Sequence, residues 1–188
     1  MLKTFVVGAS LLTGLPGVAL AGPMQDKALQ AEAALGKKDG GLAIKLMREA
    51  LFQTWKEAPL AIPTAVFVAA PADGYGIYTA RADSVFAIGE PLLVYLEPVG
   101  FDWKQENGLF RSLLTVDFDL SSPDGTVLAG QKEFGRFDFK SHVPNTEYMA
   151  NLTLRVNGAP AGDYVLDLTV NDQIGGGSAR VKIPFSFQ

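Results

Sequence analysis

Residues 162–172, GDYVLDLTVND, carry the pattern that decides the fold. Apolar side chains occupy every second position from Tyr164 to Val170, while Asp167 and Thr169 fall between them. A period of two residues places alternate side chains on opposite faces of a strand, one facing a core and one facing water. The stretch therefore predicts one strand of an antiparallel sheet.

The same alternation occurs elsewhere in the C-terminal two thirds of the chain. It recurs in YMANLTLRV (148–156) and ARVKIPFSF (179–187), and LFRSLLTVDFDL (109–120) is followed by an SPDG turn. About seven to nine short strands separated by turn signals favour a two-layer sandwich, with a closed barrel as the alternative. We therefore expect a β-sandwich domain over residues 63–188.

Residues 22–62 show a helical period instead. The stronger helix runs from about residue 41 to residue 58, after the turn KKDGG, in which Asp39 is a suitable N-cap. Its apolar stripe consists of Ile44, Met47, Leu51 and Trp55. A shorter helix precedes it, with apolar residues at three- or four-residue steps and an end at Gly36. Together they predict an αα-hairpin.

This hairpin looks like one unit of a helical repeat such as the tetratricopeptide type, but the sequence contains no second copy. A single repeat cannot bury its apolar face alone. Two interpretations stay open: the apolar stripe packs against the following domain, or it binds a partner.

The N-terminal residues MLKTFVVGASLLTGLPGVALAGP have the three parts of a secretory signal. Lys3 supplies the positive charge, an apolar stretch follows, and Ala19-Leu20-Ala21 fits the cleavage rule of small residues. A membrane anchor is the alternative, which the glycines and Pro16 in the apolar stretch disfavour. We predict a signal peptide over residues 1–21, a periplasmic or secreted protein, and no membrane span after cleavage.

Charge and composition exclude several classes of protein. The chain has 16 basic and 20 acidic residues, a net charge of -4, whereas nucleic-acid binding needs a basic surface. The absence of cysteine excludes disulfides and a lipid-anchored cysteine. A hydrophobic fraction of 48% indicates a folded core rather than disorder.

Two stretches are similar to strands of immunoglobulin-like domains in bacterial exported proteins. They are PAGDYVLDLTVND (160–172) with the loop and strand that follow, and FAIGEPLLVYLEP (86–98). The resemblance covers about residues 64–188 and implies an immunoglobulin-like β-sandwich, in which Tyr164 ties the turn before its strand through its hydroxyl. Because this fold supports many functions, the resemblance implies no catalytic residues.

The glycine run in NDQIGGGSARV (171–181) raises the question of a phosphate-binding loop. Such loops join a strand to a helix, whose N-terminal N–H groups face the anion. Here the alternating residues after the run predict a strand, so a flexible hairpin loop is the better interpretation. Asp172 and Gln173 are its polar side chains and are candidate ligand-binding residues.

The sequence offers little for catalysis, and we predict neither a cofactor nor a metal site. His142 is the only histidine and cysteine is absent, which removes the usual nucleophile and zinc arrangements. Asp117, Asp119 and Asp124 only partly match a calcium loop, and alternate aspartates in a strand face water. An acid–base pair of carboxylates is the enzymatic alternative. Its candidates are Glu90, Glu97, Asp102 and Glu106.

Aromatic residues in loops are the most informative surface candidates. Tyr75 and Tyr78 lie in DGYGIY (73–78), and Phe101 and Trp103 lie in GFDWKQENG (100–108). Exposed aromatic rings bind proteins or sugars because they offer a large contact area at a small entropic cost.

We therefore predict an exported, non-catalytic binding protein with a protein or glycan partner in the cell envelope. A carbohydrate-binding or carbohydrate-active protein and an assembly component that uses the helical stripe are the alternatives. The sequence leaves the oligomeric state undetermined.

Overall fold

A computed structural model describes residues 22–188, so the predicted signal peptide (1–21) lies outside the described residues. The described chain begins with two helices, α1 (Pro23–Gly36) and α2 (Gly40–Glu57), and continues with nine strands. The strands are β1 (Ala61–Phe67), β2 (Val85–Phe86), β3 (Leu92–Val99), β4 (Lys104–Glu106), β5 (Leu109–Ser121), β6 (Val127–Ser141), β7 (Ala150–Leu154), β8 (Gly162–Asp172) and β9 (Ser178–Phe187).

The strands form two separate sheets. The small sheet has the order β1-β3-β7, and the large sheet runs β2-β9-β8-β5, with β4 and β6 both paired to β5. All strand pairs are antiparallel except the short pair of β2 and β9. The chain is therefore mainly β, a helical hairpin followed by an antiparallel immunoglobulin-like β-sandwich, as the sequence predicts.

The alternating strands bury the faces that their periods predict. Leu166 and Leu168 of β8 are fully buried, as are Leu92, Val94 and Leu96 of β3 in the other sheet, and all five belong to one core. Each fully buried leucine side chain stabilises the fold by about 1.5–3 kcal/mol relative to an exposed one. The interface between the two sheets is therefore the main hydrophobic core.

Asp167 and Thr169 of β8 lie between its buried apolar residues, as the alternation predicts, and Asp167 also forms ion pairs. The carboxylate of Asp167 lies on the outer face but is covered, because Arg180 donates to Oδ1 and Lys182 Nζ lies 3.6 Å from Oδ2. The predicted bond of Tyr164 is confirmed: its hydroxyl donates to the carbonyl of Pro160 at 2.8 Å.

The hairpin is held together by small side chains. Ala31 and Ala34 of α1 pack against Ala43 and Leu46 of α2, and Asp39 caps α2 by accepting from the N–H of Leu42, as predicted. Neither helix of the described chain is long and apolar enough to cross a membrane.

Trp55, near the end of α2, attaches the hairpin to the sandwich. Its indole Nε1 donates to the carbonyl oxygen of Phe101 at 2.7 Å, and the two rings meet edge to face at 5.1 Å. Gly100 permits this approach, because its φ is +75° and a Cβ there would lie 2.5 Å from the carbonyl oxygen of Pro59. The stripe of α2 is thus buried at its last residue.

We predict that Trp55→Phe lowers the free energy of unfolding by about 1–3 kcal/mol, because the substitution leaves the buried carbonyl of Phe101 without its donor. Urea denaturation followed by circular dichroism measures the change. Leu42→Ala, at an exposed position of the same helix, is the control, with an expected effect within about 0.5 kcal/mol. Equal effects of the two substitutions would contradict a special role for Trp55.

Candidate functional site

Two surfaces near the hairpin could bind a partner. The first, called here the base groove, is a cleft of about 290 Å³ between the end of α2 and the segment joining β3 to β5. It is lined by Phe52, Trp55, Lys56, Phe101, Asp102, Trp103, Gln105 and Phe110. Apolar rings with a few polar side chains are a usual lining of ligand sites, although this volume is at their lower limit of about 300 Å³.

The structure separates the roles of Phe101 and Trp103. The sequence predicts two exposed loop aromatics, but Phe101 is only 1% exposed, because Trp55 and Tyr148 cover its ring. Trp103 is partly buried and packs on Phe101 and Phe139 at ring distances of 5.4 and 6.1 Å. Phe101 therefore supports the hairpin, and Trp103 is the more exposed of the two aromatic residues that this segment contributes to the groove.

Tyr75 and Tyr78 lie elsewhere, over the outer face of the small sheet. They are 41% and 36% exposed, and Tyr78 stacks on Tyr95 of β3 at 4.2 Å. The Tyr95 hydroxyl donates to Glu97 at 2.6 Å and accepts from the N–H of Gly76 at 2.7 Å. Burial, together with the bond to Glu97, raises the pKa of Tyr95 to about 12. The predicted aromatic residues therefore do not form one site.

Asp172 and Gln173 hold the glycine loop in place. Asp172 is 5% exposed, and its carboxylate accepts from the N–H of Asp102 at 2.7 Å and from that of Ile174 at 2.8 Å. The amide of Gln173 donates to the hydroxyl of Thr115 at 2.9 Å. Both side chains were predicted as ligand-binding candidates, whereas the structure uses their polar atoms to join the loop to the sandwich.

Gly175 explains why the loop needs glycine. A Cβ at this position would overlap the carboxylate of Asp102 and would lie 2.8 Å from Oδ2 of Asp172. The loop also lines a second recess of about 170 Å³, which shares Lys56 and Asp102 with the base groove. The glycine run therefore packs against Asp102 and Leu60, next to the base of the hairpin.

The four carboxylates of the enzymatic alternative do not converge on one site. Glu90 pairs with Arg81 at 2.7 Å, and Glu106 pairs with Lys104 at 2.8 Å. The third, Glu97, accepts the hydrogen bond from Tyr95 described above, and Asp102 borders the base groove.

Asp117, the first residue of the partial calcium pattern, forms hydrogen bonds within the sandwich. Asp117 accepts from the N–H of Glu133, which has a φ of 48° in a bulge of β6, and from Lys132 and Asn171. Within residues 22–188, no group of three or more Asp, Glu or His side chains is placed to hold a metal ion.

The second surface is an apolar side of the hairpin, called here the hairpin face. It consists of Met24, Leu35, Ile44, Met47 and Leu51, whose side chains are 37–60% exposed. The sequence predicted the last three as a stripe with Trp55, but it left their exposure undecided.

Helix geometry places these five side chains on one side. Ile44, Met47 and Leu51 each follow a residue that faces α1 (Ala43, Leu46 or Ala50), so each is rotated by about 100° from the helix–helix contact. Leu35 follows the buried Ala34 in α1 in the same way. Because the two right-handed helices are antiparallel, equal rotations lead to the same side of the hairpin.

Two contacts confirm this assignment of sides. Thr54 contacts Met24 across the two helices on the side of the face. On the other side, Glu49, which precedes Ala50, pairs with Lys27, and Leu42, which precedes Ala43, is exposed. The hairpin therefore has one apolar side and one side with an ion pair.

Comparison with known proteins assigns no family to the chain. No protein-family model and no curated protein sequence matches it. A PKD domain of an M14-like peptidase from Thermoplasmatales archaeon SCGC AB-540-F20 is similar in structure over 69% of this chain and 96% of its own, with 11% identity and a TM-score of 0.36.

Two further solved structures are similar at the same level. Superoxide reductase (neelaredoxin) from Ignicoccus hospitalis matches 68% of this chain and 82% of its own, with 12% identity and a TM-score of 0.37. Pseudomonas fluorescens alkylpurine DNA glycosylase AlkC, bound to DNA containing an abasic site analog, matches 86% and 42%, with 10% identity and a TM-score of 0.37. Similarity this low transfers no activity to this chain.

We predict that Gly175→Ala lowers the free energy of unfolding by about 1–3 kcal/mol, because the added methyl group overpacks the space next to Asp102. Thermal and urea denaturation measure the effect. Gly177→Ala is the matched control, since a Cβ there would make only an ordinary contact of 3.6 Å with Leu60. Asp102→Ala should relieve part of the cost of Gly175→Ala in the double variant, and strict additivity would contradict the explanation.

Proposed function

We propose that this protein is an exported, non-catalytic interaction protein of the periplasm or cell exterior, and that its hairpin face binds a protein partner in the cell envelope. The observation that carries the proposal is the exposure of five large apolar side chains on one side of two helices. Soluble monomers rarely expose a contiguous apolar patch of more than a few hundred Å² without an interaction to cover it.

The attachment of the hairpin supports this role. Trp55 and Phe52 are the α2 side chains that pack on the core of the sandwich, near the end of the helix. Residues of α2 nearer the turn, including Ile44 and Met47, remain in solvent. A helical element held rigidly at one end can present an apolar side to a partner, as in helix-groove recognition.

Burial of this face supplies enough free energy for a specific contact. Complete burial of a leucine, isoleucine or methionine side chain contributes about 1.5–3 kcal/mol, and these five are about half exposed. Part of the gain is offset by the loss of translational and rotational freedom on association.

Site-specific cross-linking in cells tests the proposal. We expect a photoreactive amino acid at Met47 to form a discrete adduct with a protein of the cell envelope, because the side chain touches the partner. The same amino acid at Leu42 is the control, since Leu42 is 45% exposed on the opposite side of the hairpin. The proposal is wrong if Met47 gives no adduct, or if the two positions give the same adducts.

Export is tested separately by cell fractionation and by the mass of the purified protein. We expect the protein in the periplasm or medium, with Gly22 as its first residue, because Ala19-Leu20-Ala21 fits the cleavage rule. Retention in the cytoplasm with an intact N-terminus would contradict the exported role.

Glycan binding in the base groove is a second candidate function. Its support is the juxtaposition of the rings of Phe52, Trp103 and Phe110 with the polar groups of Lys56, Asp102 and Gln105. Aromatic rings stack on the apolar faces of sugars, and polar side chains fix the hydroxyl groups.

For this candidate we expect an envelope-derived oligosaccharide to change the tryptophan fluorescence, and Trp103→Ala to weaken binding at least tenfold. The control is Tyr75→Ala, which alters an exposed aromatic residue of the small-sheet surface. A glycan array without hits, or equal effects of the two substitutions, would refute glycan binding in the groove.

A further inference from the structure

We propose that the occupant of the hairpin face is a second copy of this chain, so that two hairpins pack face to face as an antiparallel four-helix bundle. The inference rests on the proposed function and specifies its partner. It also restricts the pairing to one orientation, with α1 of each copy against α2 of the other.

The composition of the hairpin favours a bundle. The contact between α1 and α2 is made mostly by alanines, Ala31, Ala34 and Ala43, with Leu46 as the only large side chain of this cluster. The larger apolar residues point to the adjacent side, where about half of each side chain is exposed. A second hairpin would enclose them in a central layer like that of a four-helix bundle.

The size of the face suits a reversible dimer. With 14 and 18 residues, the helices are about 21 and 27 Å long, and side by side they are about 20 Å wide. Each face therefore covers roughly 450 Å², and two copies together would cover roughly 900 Å². This is close to the lower limit of about 1,000 Å² for a specific interface, so we expect a concentration-dependent dimer.

Charged residues at the edges of the face select the orientation. Glu32 follows Ala31 and lies toward the α1 edge, whereas Arg48 follows Met47 and lies at the α2 edge. Neither residue forms a salt bridge within residues 22–188. One edge of the face is thus acidic and the other is basic.

A two-fold axis parallel to the helices brings opposite edges together. It places α1 of one copy against α2 of the other. The Met24–Thr54 and Lys27–Glu49 contacts put Glu32 within about one helical turn of the height of Arg48. An axis across the helices would instead place the basic edges against each other. Ion pairs at a solvent-exposed rim contribute little affinity, so they set the orientation and the apolar layer supplies the affinity.

Sedimentation of the protein produced from the full-length chain tests the pairing, over about 1 to 100 μM to cover micromolar affinity. We expect a monomer–dimer equilibrium that Met47→Glu shifts at least tenfold toward monomer. Leu42→Glu is the matched control, because it adds the same charge to the same helix on the opposite side and should leave the equilibrium unchanged. Circular dichroism verifies that both variants keep their helices.

A charge exchange tests the orientation. We expect Glu32→Lys, and separately Arg48→Glu, to weaken self-association, because each places like charges at both edges of the dimer. An equimolar mixture of the two variants should form a heterodimer more readily than either forms a homodimer, since both edges are then complementary.

Three results would overturn the proposal: a monomer at every concentration, a dimer that Met47→Glu leaves intact, or a mixture that forms no heterodimer. The cross-linking experiment separates this failure from that of the proposed function. An adduct of Met47 with a different protein would retain the hairpin face as a binding site but reject the second copy. The absence of any adduct together with a monomer would reject both.

Discussion

The bond between the indole N–H of Trp55 and the carbonyl of Phe101 determines how the two parts of this protein are joined. This bond holds Trp55, the last residue of the α2 stripe, in the core of the sandwich. The earlier residues of the stripe lie farther from the sandwich and stay exposed because the hairpin is fixed by its end. The same contact that stabilises the chain therefore leaves an apolar side of the hairpin open to a partner.

The glycine loop supports this joint from the other side. Asp172 holds the backbone of Asp102, the residue after Phe101, and Gly175 makes room for the Asp102 side chain. The segment from Gly100 to Trp103 is thus fixed between α2 and the loop between β8 and β9. A glycine run that resembles a binding loop in sequence acts here as a packing surface, because close approach of a loop to a carboxylate leaves no space for a Cβ.

The fold was more predictable than the site. Alternation in β8 and β9, the hairpin with its Asp39 cap, and the hydroxyl bond of Tyr164 were all confirmed, because each depends on neighbours in sequence or on a local turn. The binding candidates Phe101, Asp172 and Gln173 were selected as loop residues, and the structure gives all three internal contacts. Burial of a loop side chain depends on which distant element covers it, and no local pattern encodes that.

The sequence by itself determined the periods: two residues in the sandwich and between three and four in the hairpin, which set the element types and their apolar faces. The tertiary structure alone decided which apolar faces are buried. It placed Tyr75 and Trp103 on separate surfaces, and it divided one continuous stripe into a buried Trp55 and exposed Ile44, Met47 and Leu51. The physical reason is that periodicity specifies the direction of a side chain relative to its own element, whereas burial depends on the long-range packing of that element against the rest of the chain.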